Sequence, residues 1–233
     1  MTASPGSGRT AIVTGGSRGL GRALAHGLAE GGWRVIIDGR DPDALAEARW
    51  SLPADTVAIP GDVTDPAHRA ELVSAAGERL DLLVHNAGIL GASPLPPLSA
   101  YPLDALREVF EVNVVAPLAL TQLALPLLRA GQGSVVAITS DASVEPYPGW
   151  GGYGSAKAAV DQLARVLAEE EPTVRVWAVD PGDMRTRMHQ EAFPGEDISD
   201  RPAPETVVPG LLWVLDERPP SGRIRLASVG AGR

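Results

Sequence analysis

Short aliphatic runs alternate with amphipathic stretches along almost the whole chain, and few architectures accept such an alternation. The runs are Thr10–Thr14, Arg34–Asp38, Thr56–Pro60, Asp81–His85, Ser134–Thr139, Val174–Val179 and Arg223–Ala227. They read as strands of a parallel sheet covered by helices, where both faces of every strand are buried. Between them, apolar positions recur at helical spacing. Leu20, Leu24 and Leu28 mark a first helix, and Val73, Ala76 and Leu80 mark a third. Pro42–Trp50 is a shorter second helix with proline suited to its first turn. A long helix is predicted from about Leu103 to Leu128. Another runs from about Tyr153 to Ala168, with Ala156, Val160, Leu163 and Leu167 on one stripe, and a last lies near Glu205–Leu215. Since crossovers between parallel strands are right-handed, the expected fold class is α/β, a doubly wound, Rossmann-like parallel sheet of about seven strands with helices on both faces.

The chain has 233 residues, enough for one sizeable core. Residues 1–8 are small and polar and read as a loose tail, leaving 9–233 as a single domain. A net charge of −9 sets the surface against nucleic acid and anionic lipid. No apolar run approaches the roughly 18 residues of a membrane span, so the protein is expected to be soluble, with no membrane partner. The absence of cysteine removes disulfides, thiolate catalysis and Cys-ligated metal, and fits a cytoplasmic location. His26, His68 and His189 lack ligand-like spacing, so no metal is expected. Two segments break the strand–helix rhythm, Leu90–Pro102 and the longer Pro181–Pro204. Both are read as loops at the carboxyl ends of strands, where open α/β sheets bind ligands.

The stretch Thr14-Gly15-Gly16-Ser17-Arg18-Gly19-Leu20-Gly21 follows the first strand and opens the first helix. Glycines there let the backbone turn tightly and approach a pyrophosphate, while the helix start offers free N–H groups. The spacing is T-G-x-x-x-G-x-G rather than G-x-G-x-x-G. At the end of the second strand, Asp38-Gly39-Arg40 sends a mixed signal. An acid there would accept bonds from an adenosine ribose 2′-hydroxyl and favour NAD(H), whereas an arginine would pair with a 2′-phosphate. Guanidinium forks match phosphate oxygens, which favours Arg40 with Arg18 as a clamp and NADP(H) as the preferred cofactor, with NAD(H) as the other option.

Tyr153 and Lys157 stand at i and i+4 of a predicted helix and share one face. A free phenol has a pKa near 10, and bringing it to neutrality takes roughly 4 kcal/mol of differential stabilisation. A nearby ammonium and an oxidised nicotinamide ring could supply that. Ser140 ends the fifth strand, where its hydroxyl could bond a substrate oxygen. Asn113 sits inside the long helix, and Pro117, four residues on, has no N–H for its carbonyl. That carbonyl is then free to hold a water; the alternative is a helix kink whose polar groups are satisfied by neighbours.

Taken in order, these pieces resemble the short-chain dehydrogenase/reductase family from about Arg9 to Ala227. They are the glycine loop, Asp62-Val63, Asn86-Ala87-Gly88, Asn113, Ser140, Tyr153-x-x-x-Lys157, and Pro181-Gly182 with Thr186. The resemblance implies that Tyr153 is the general acid or base, that Lys157 lowers its pKa and holds the nicotinamide ribose, and that Ser140 orients the carbonyl. It implies that Asn113 holds a relay water, that Asp62 and Val63 flank the adenine, and that Asn86 to Gly88 line the cofactor cleft. Pro181, Gly182 and Thr186 would meet the nicotinamide end, and Gly15, Ser17, Arg18, Gly19, Leu20, Gly21, Asp38 and Arg40 would complete the cofactor site. A homodimer or homotetramer is implied through the long helices. Three departures stand out. His85 replaces a common asparagine and reads as a satisfied buried imidazole; Ser143 replaces a common glycine, with Asp141 directly after the serine; and Ser228–Arg233 lacks paired glycines.

Candidates for the substrate wall are the apolar loop residues Tyr147, Trp150, Met184, Met188 and Phe193, with ordinary loop anchoring as the competing role. The expected activity is NADP(H)-dependent ketoreductase or alcohol dehydrogenase chemistry on a small carbonyl or alcohol. The alternatives are an NADP(H) sensor without chemistry, and an isomerase, epimerase or dehydratase that recycles or spares the cofactor.

Overall fold

A computed structural model describes residues 8–226. Seven parallel strands form one sheet in the order β3-β2-β1-β4-β5-β6-β7. They are β1 (Thr10–Val13), β2 (Arg34–Gly39), β3 (Val57–Pro60), β4 (Leu82–His85), β5 (Ser134–Ile138), β6 (Arg175–Asp180) and β7 (Gly222–Arg225). The chain builds outward in one direction from β1 to β3, then in the other from β4 to β7. The crevice at that reversal, beyond the carboxyl ends of β1 and β4, is where such sheets take ligands.

Side chains alternate through the sheet with the two-residue period of a strand. Val13, Val35, Ile37, Val84 and Trp177 belong to the core on one face, while Ile12, Ile36, Leu83, Val135 and Val176 belong to the core on the other. The first face is covered by α1 (Gly19–Glu30), α2 (Pro42–Trp50) and α8 (Val208–Glu217), through Leu24, Leu28, Leu45, Leu211 and Val214. The second is covered by α3 (Pro66–Ala76), α5 (Ala116–Gly131) and α6 (Gly151–Glu170), through Leu72, Leu120, Leu128 and Ala164. Helices α2 and α3 start alike. An aspartate, Asp41 or Asp65, caps the free N–H groups with its carboxylate, and a proline follows in the first turn.

Several expected boundaries move. The third helix stops at Ala76, because Gly77 takes a φ of 85°; Leu80 is buried in the following turn instead of on the helix. The long helix is three pieces, α4 (Leu103–Phe110), a π-helical turn over Glu111–Val115, and α5. Pro126 stands inside α5. By length and composition this segment, Leu103–Gly131, could cross a membrane, with a mean hydropathy of 1.5 over its most apolar window; here α5 packs on the second face of the sheet. Leu90–Pro102 holds one 3-10 turn, Leu98–Ala100. Pro181–Pro204 is not all loop, for it contains α7 (Arg187–Ala192). The expected last helix begins as a 3-10 turn over Pro204–Val207 before α8. The tail and the departure over Ser228–Arg233 lie outside the described residues apart from Gly8, as does Ala227 of the expected last strand.

Candidate active site

The glycine loop is stapled across the two halves of the sheet. Thr14 Oγ1 donates to the Val84 carbonyl at 3.1 Å and accepts from the Asn86 and Ala87 N–H groups, both at 3.1 Å. Asn86 Nδ2 donates to the carbonyls of Thr14 at 2.8 Å and Gly15 at 3.1 Å. Gly15 has a φ of +67°, and a Cβ there would stand 2.9 Å from the Ala87 Cα; on Gly21 it would stand 2.3 Å from the Gly15 carbonyl oxygen. Only glycine permits this closeness. The result is a backbone-lined cradle at the start of α1, shaped for the phosphates of a dinucleotide.

Beside it lies a hollow of about 400 Å³, lined by Gly15, Ser17, Arg18, Arg40, Asp62, Val63, Ala87 and Gly88 among others. Asp38 borders this hollow but faces inward and is 1 % exposed. Its Oδ1 accepts from the Gly15 N–H at 2.6 Å, and its Oδ2 lies 3.0 Å from His68 Nε2. The bond to Asp38 raises the pKa of His68 against the opposing effect of burial. Asp38 therefore holds the glycine loop from below, and the expectation of a ribose acceptor needs correcting. Asp62 is likewise occupied, its Oδ1 accepting from the Thr64 N–H and Oγ1, both at 2.9 Å. Arg18 is paired with Asp41, whose carboxyl is held below its usual range first by the Ala44 N–H and then by Arg18. Arg40 is exposed and makes no hydrogen bond or ion pair with the described residues.

A second cleft of about 540 Å³ opens from the same cradle. Gly15, Arg18, Gly19, Leu20, Asn86, Ala87 and Gly88 border it at one end. Ser140, Tyr153, Lys157, Pro181, Gly182 and Thr186 converge on it from β5, α6 and the segment after β6. Trp150, Met184 and Met188 also line it. Phe193 stands behind, its ring 6.0 Å from that of Trp150, in a cluster with Leu90, Ala142 and Tyr153. Tyr147 is turned aside and donates to Asp141 Oδ2 at 3.0 Å.

The tyrosine and lysine differ electrostatically from the expectation. Lys157 Nζ donates to the Ile138 carbonyl at 2.7 Å and sits 5.5 Å from the centre of the Tyr153 ring. Burial pulls its pKa down to about 8. Tyr153 moves the other way: burial, then the Asp141 and Asp180 carboxylates, push its hydroxyl above the usual phenol range. Burial and the two anions set that direction, and the Lys157 amine is meanwhile directed at a carbonyl. Ser140 Oγ donates to Asp141 Oδ1 at 2.9 Å and accepts from the Ala142 N–H at 3.2 Å.

Asn113 lies in the π turn, behind the cleft. Its Oδ1 accepts from the Ile89 N–H and its Nδ2 donates to the Ile89 carbonyl, both at 2.9 Å. Its side chain thus clamps the strand-to-loop segment that follows Gly88. His85 is a satisfied buried imidazole, 2.7 Å from Thr121 Oγ1 and driven down to about 3 by burial, hence neutral.

Two groups escaped the sequence reading. Arg223 of β7 ties the site together from beneath, donating to the Ser140 carbonyl at 3.0 Å, to Asp180 Oδ2 at 3.0 Å and to Asp161 Oδ2 at 3.1 Å. Asp161 also accepts from Ser143 Oγ at 2.6 Å. One signal was available, since Tyr153, Lys157 and Asp161 follow one helix face at i, i+4 and i+8. The other is Arg187 of α7, which lines both hollows. Among the described residues no group of three His, Asp or Glu is placed to hold a metal ion.

Residues 9–197 match the family model for short chain dehydrogenase. The chain is 38% identical over 195 residues to the rhamnolipids biosynthesis 3-oxoacyl-[acyl-carrier-protein] reductase of Pseudomonas aeruginosa, covering 78% of this chain and 75% of that one. Its structure is similar to a short chain dehydrogenase from Pseudomonas syringae, with TM-score 0.86, 32% identity and 94% of each chain covered. It is similar also to a short chain dehydrogenase from Shigella flexneri complexed with NADP, with TM-score 0.85, 31% identity, and 93% of this chain and 95% of that one covered.

Proposed function

The chain belongs to the short-chain dehydrogenase/reductase family of oxidoreductases, and from that premise we propose that it is an NADP(H)-dependent ketoreductase or alcohol dehydrogenase acting on a small carbonyl or alcohol. The carrying observation is that Ser140, Tyr153 and Lys157 reach one cleft from two elements, and that this cleft opens from the glycine cradle. Support for NADP(H) comes from Arg18 and Arg40 at the hollow beside the cradle, while the Asp38 carboxylate is committed to the loop. The Shigella neighbour complexed with NADP points the same way.

In this reading the cradle, Arg18, Arg40, Val63 and Asn86 to Gly88 hold the dinucleotide, and Pro181, Gly182 and Thr186 border its nicotinamide end. A nicotinamide dinucleotide held by these residues would supply hydride transfer in either direction. Tyr153 moves the proton at the substrate oxygen. With its pKa raised, the phenol keeps its proton at neutral pH, so the ready form is the acid that carbonyl reduction requires. Ser140 positions the same oxygen through its hydroxyl. Lys157 lies along the phenol ring and carries positive charge below about pH 8. Trp150, Met184 and Met188 exclude water and receive the rest of the substrate. We further propose a cytoplasmic homodimer or homotetramer; Val115 and Leu118 near the start of α5 and Val166 of α6 are exposed apolar residues suited to such an interface.

The test is NADPH consumption over a panel of ketones. Tyr153→Phe is expected to lose on the order of 10²- to 10⁴-fold in kcat while still binding NADPH. Turnover that survives this change, or NADPH binding without turnover of any ketone or alcohol, would overturn the proposal in favour of another acid or of a sensor.

A further inference from the structure

Arg187 has no role in the reading above, although it borders both the hollow beside the cradle and the cleft of Tyr153. It opens α7 directly after Thr186, and α7 starts against the glycine loop. A Cβ on Gly19 would stand 3.5 Å from Thr186 Cγ2. Thr186 Oγ1 meanwhile accepts from the His189 N–H at 3.2 Å, which fixes this turn.

The charge balance around the cradle shows what Arg187 can do. Among the described residues, only three cations line both hollows: Arg18, Arg40 and Arg187. Arg18 is paired with Asp41. Arg40 belongs to the end of β2, on the far side of Gly39 from the loop-bound Asp38. Arg187 is joined through Nε to Glu191 Oε1 at 2.8 Å, and its two terminal nitrogens have no partner among the described residues. The side chain is 75% exposed, and exposed i,i+4 pairs hold weakly. A doubly charged pyrophosphate is a stronger partner for a guanidinium fork than one solvated carboxylate.

We propose that Arg187 grips the pyrophosphate of the bound dinucleotide, exchanging Glu191 for phosphate oxygens and so fastening the segment from Gly182 to Arg201 over the cleft. This rests on the dinucleotide-binding reading above. It assigns to the substrate-side segment a residue that senses whether the cofactor is in place.

Direct titration with NADPH and with NADH tests it, using the full chain, Arg187→Gln, Arg187→Lys and Arg40→Gln. Both dinucleotides carry the pyrophosphate. Arg187→Gln is therefore expected to weaken both equally, by about tenfold or more, and Arg187→Lys to lose less. Arg40→Gln is expected to weaken NADPH alone. Limited trypsin digestion adds a second readout, because the segment holds Arg185 before Thr186: NADPH should slow cleavage there in the parent protein and fail to do so in Arg187→Gln. Tight parent binding with Arg187→Gln within about twofold for both dinucleotides, or a loss confined to NADPH, overturns the grip and leaves the oxidoreductase reading standing. A parent protein that binds neither dinucleotide overturns both.

Discussion

Asp141 is the residue that most individualises the site. It is one position beyond Ser140, accepts that serine's hydroxyl, and is in turn held by Tyr147. Its charge is also one of the anions that hold the Tyr153 proton in place, together with Asp180. The other groups that face Tyr153 are the Lys157 amine, 5.5 Å from the ring centre, and the Trp150 ring, 5.9 Å away. An anion disfavours the phenolate, so its removal favours it. Asp141→Asn removes the charge and keeps one acceptor oxygen, for Ser140, while its amide nitrogen can donate to the Tyr147 oxygen. The rising limb of alcohol oxidation against pH is then expected to move to lower pH, by on the order of one pH unit. A limb that stays in place would show that Asp141 only positions Ser140. From sequence, Asp141 was visible as a departure, and its neighbours Ser140 and Tyr153 were legible as a pair. The direction of Tyr153's shift was not, because desolvation depends on what covers a side chain, and spacing carries no information about that.

At the scale of elements, the bend in the long helix does a job that periodicity only hinted at. The π turn over Glu111–Val115 brings the Asn113 amide to the Ile89 backbone, satisfying one donor and one acceptor on the segment that follows the cofactor-lining Asn86 to Gly88. A regular turn would aim that side chain differently. Asn113→Ala strands both Ile89 groups, at an expected cost of about 2–3 kcal/mol. Thermal unfolding should show a fall of roughly 5–10 °C for a chain of this size, with NADPH affinity reduced as the segment loosens. An unchanged midpoint would mean that Ile89 finds other partners. Asn113 and Pro117 flag this place in the sequence through the missing N–H of Pro117; the side-chain clamp on Ile89 is a further role that leaves the Asn113 carbonyl a separate group. The short α7 was not foreseen. Six residues carry too few turns for a periodic signal, and the Pro, Gly and charged residues around it read as loop.

For the whole molecule, the site is a property of the sheet. The cradle uses Thr14 from beyond β1 and Asn86 from beyond β4, and Arg223 links β5, β6 and α6 from β7. No part of it exists before the strands associate, so a dinucleotide binds the folded chain and not the unfolded one. At a hundredfold excess over its Kd, NADPH should add about 2.7 kcal/mol of stability, read as a rise of roughly 5–10 °C in Tm. A Tm indifferent to NADPH at that excess would be incompatible with a site built this way.

The amino-acid order alone determined the strands, their burial on both faces, the doubly wound topology and the spacing of glycines, Ser140, Tyr153 and Lys157. Those features follow from local periodicity, backbone freedom and helix geometry, which act over a few residues. The tertiary structure decided which way Asp38 faces, what Arg18 and Lys157 are bonded to, that Tyr153 holds its proton more tightly, and that Arg187 and Arg223 belong to the site. Those outcomes depend on burial and on partners distant in the chain, 23 positions apart for Asp38 and Gly15 and 83 for Arg223 and Ser140, and no local pattern encodes them.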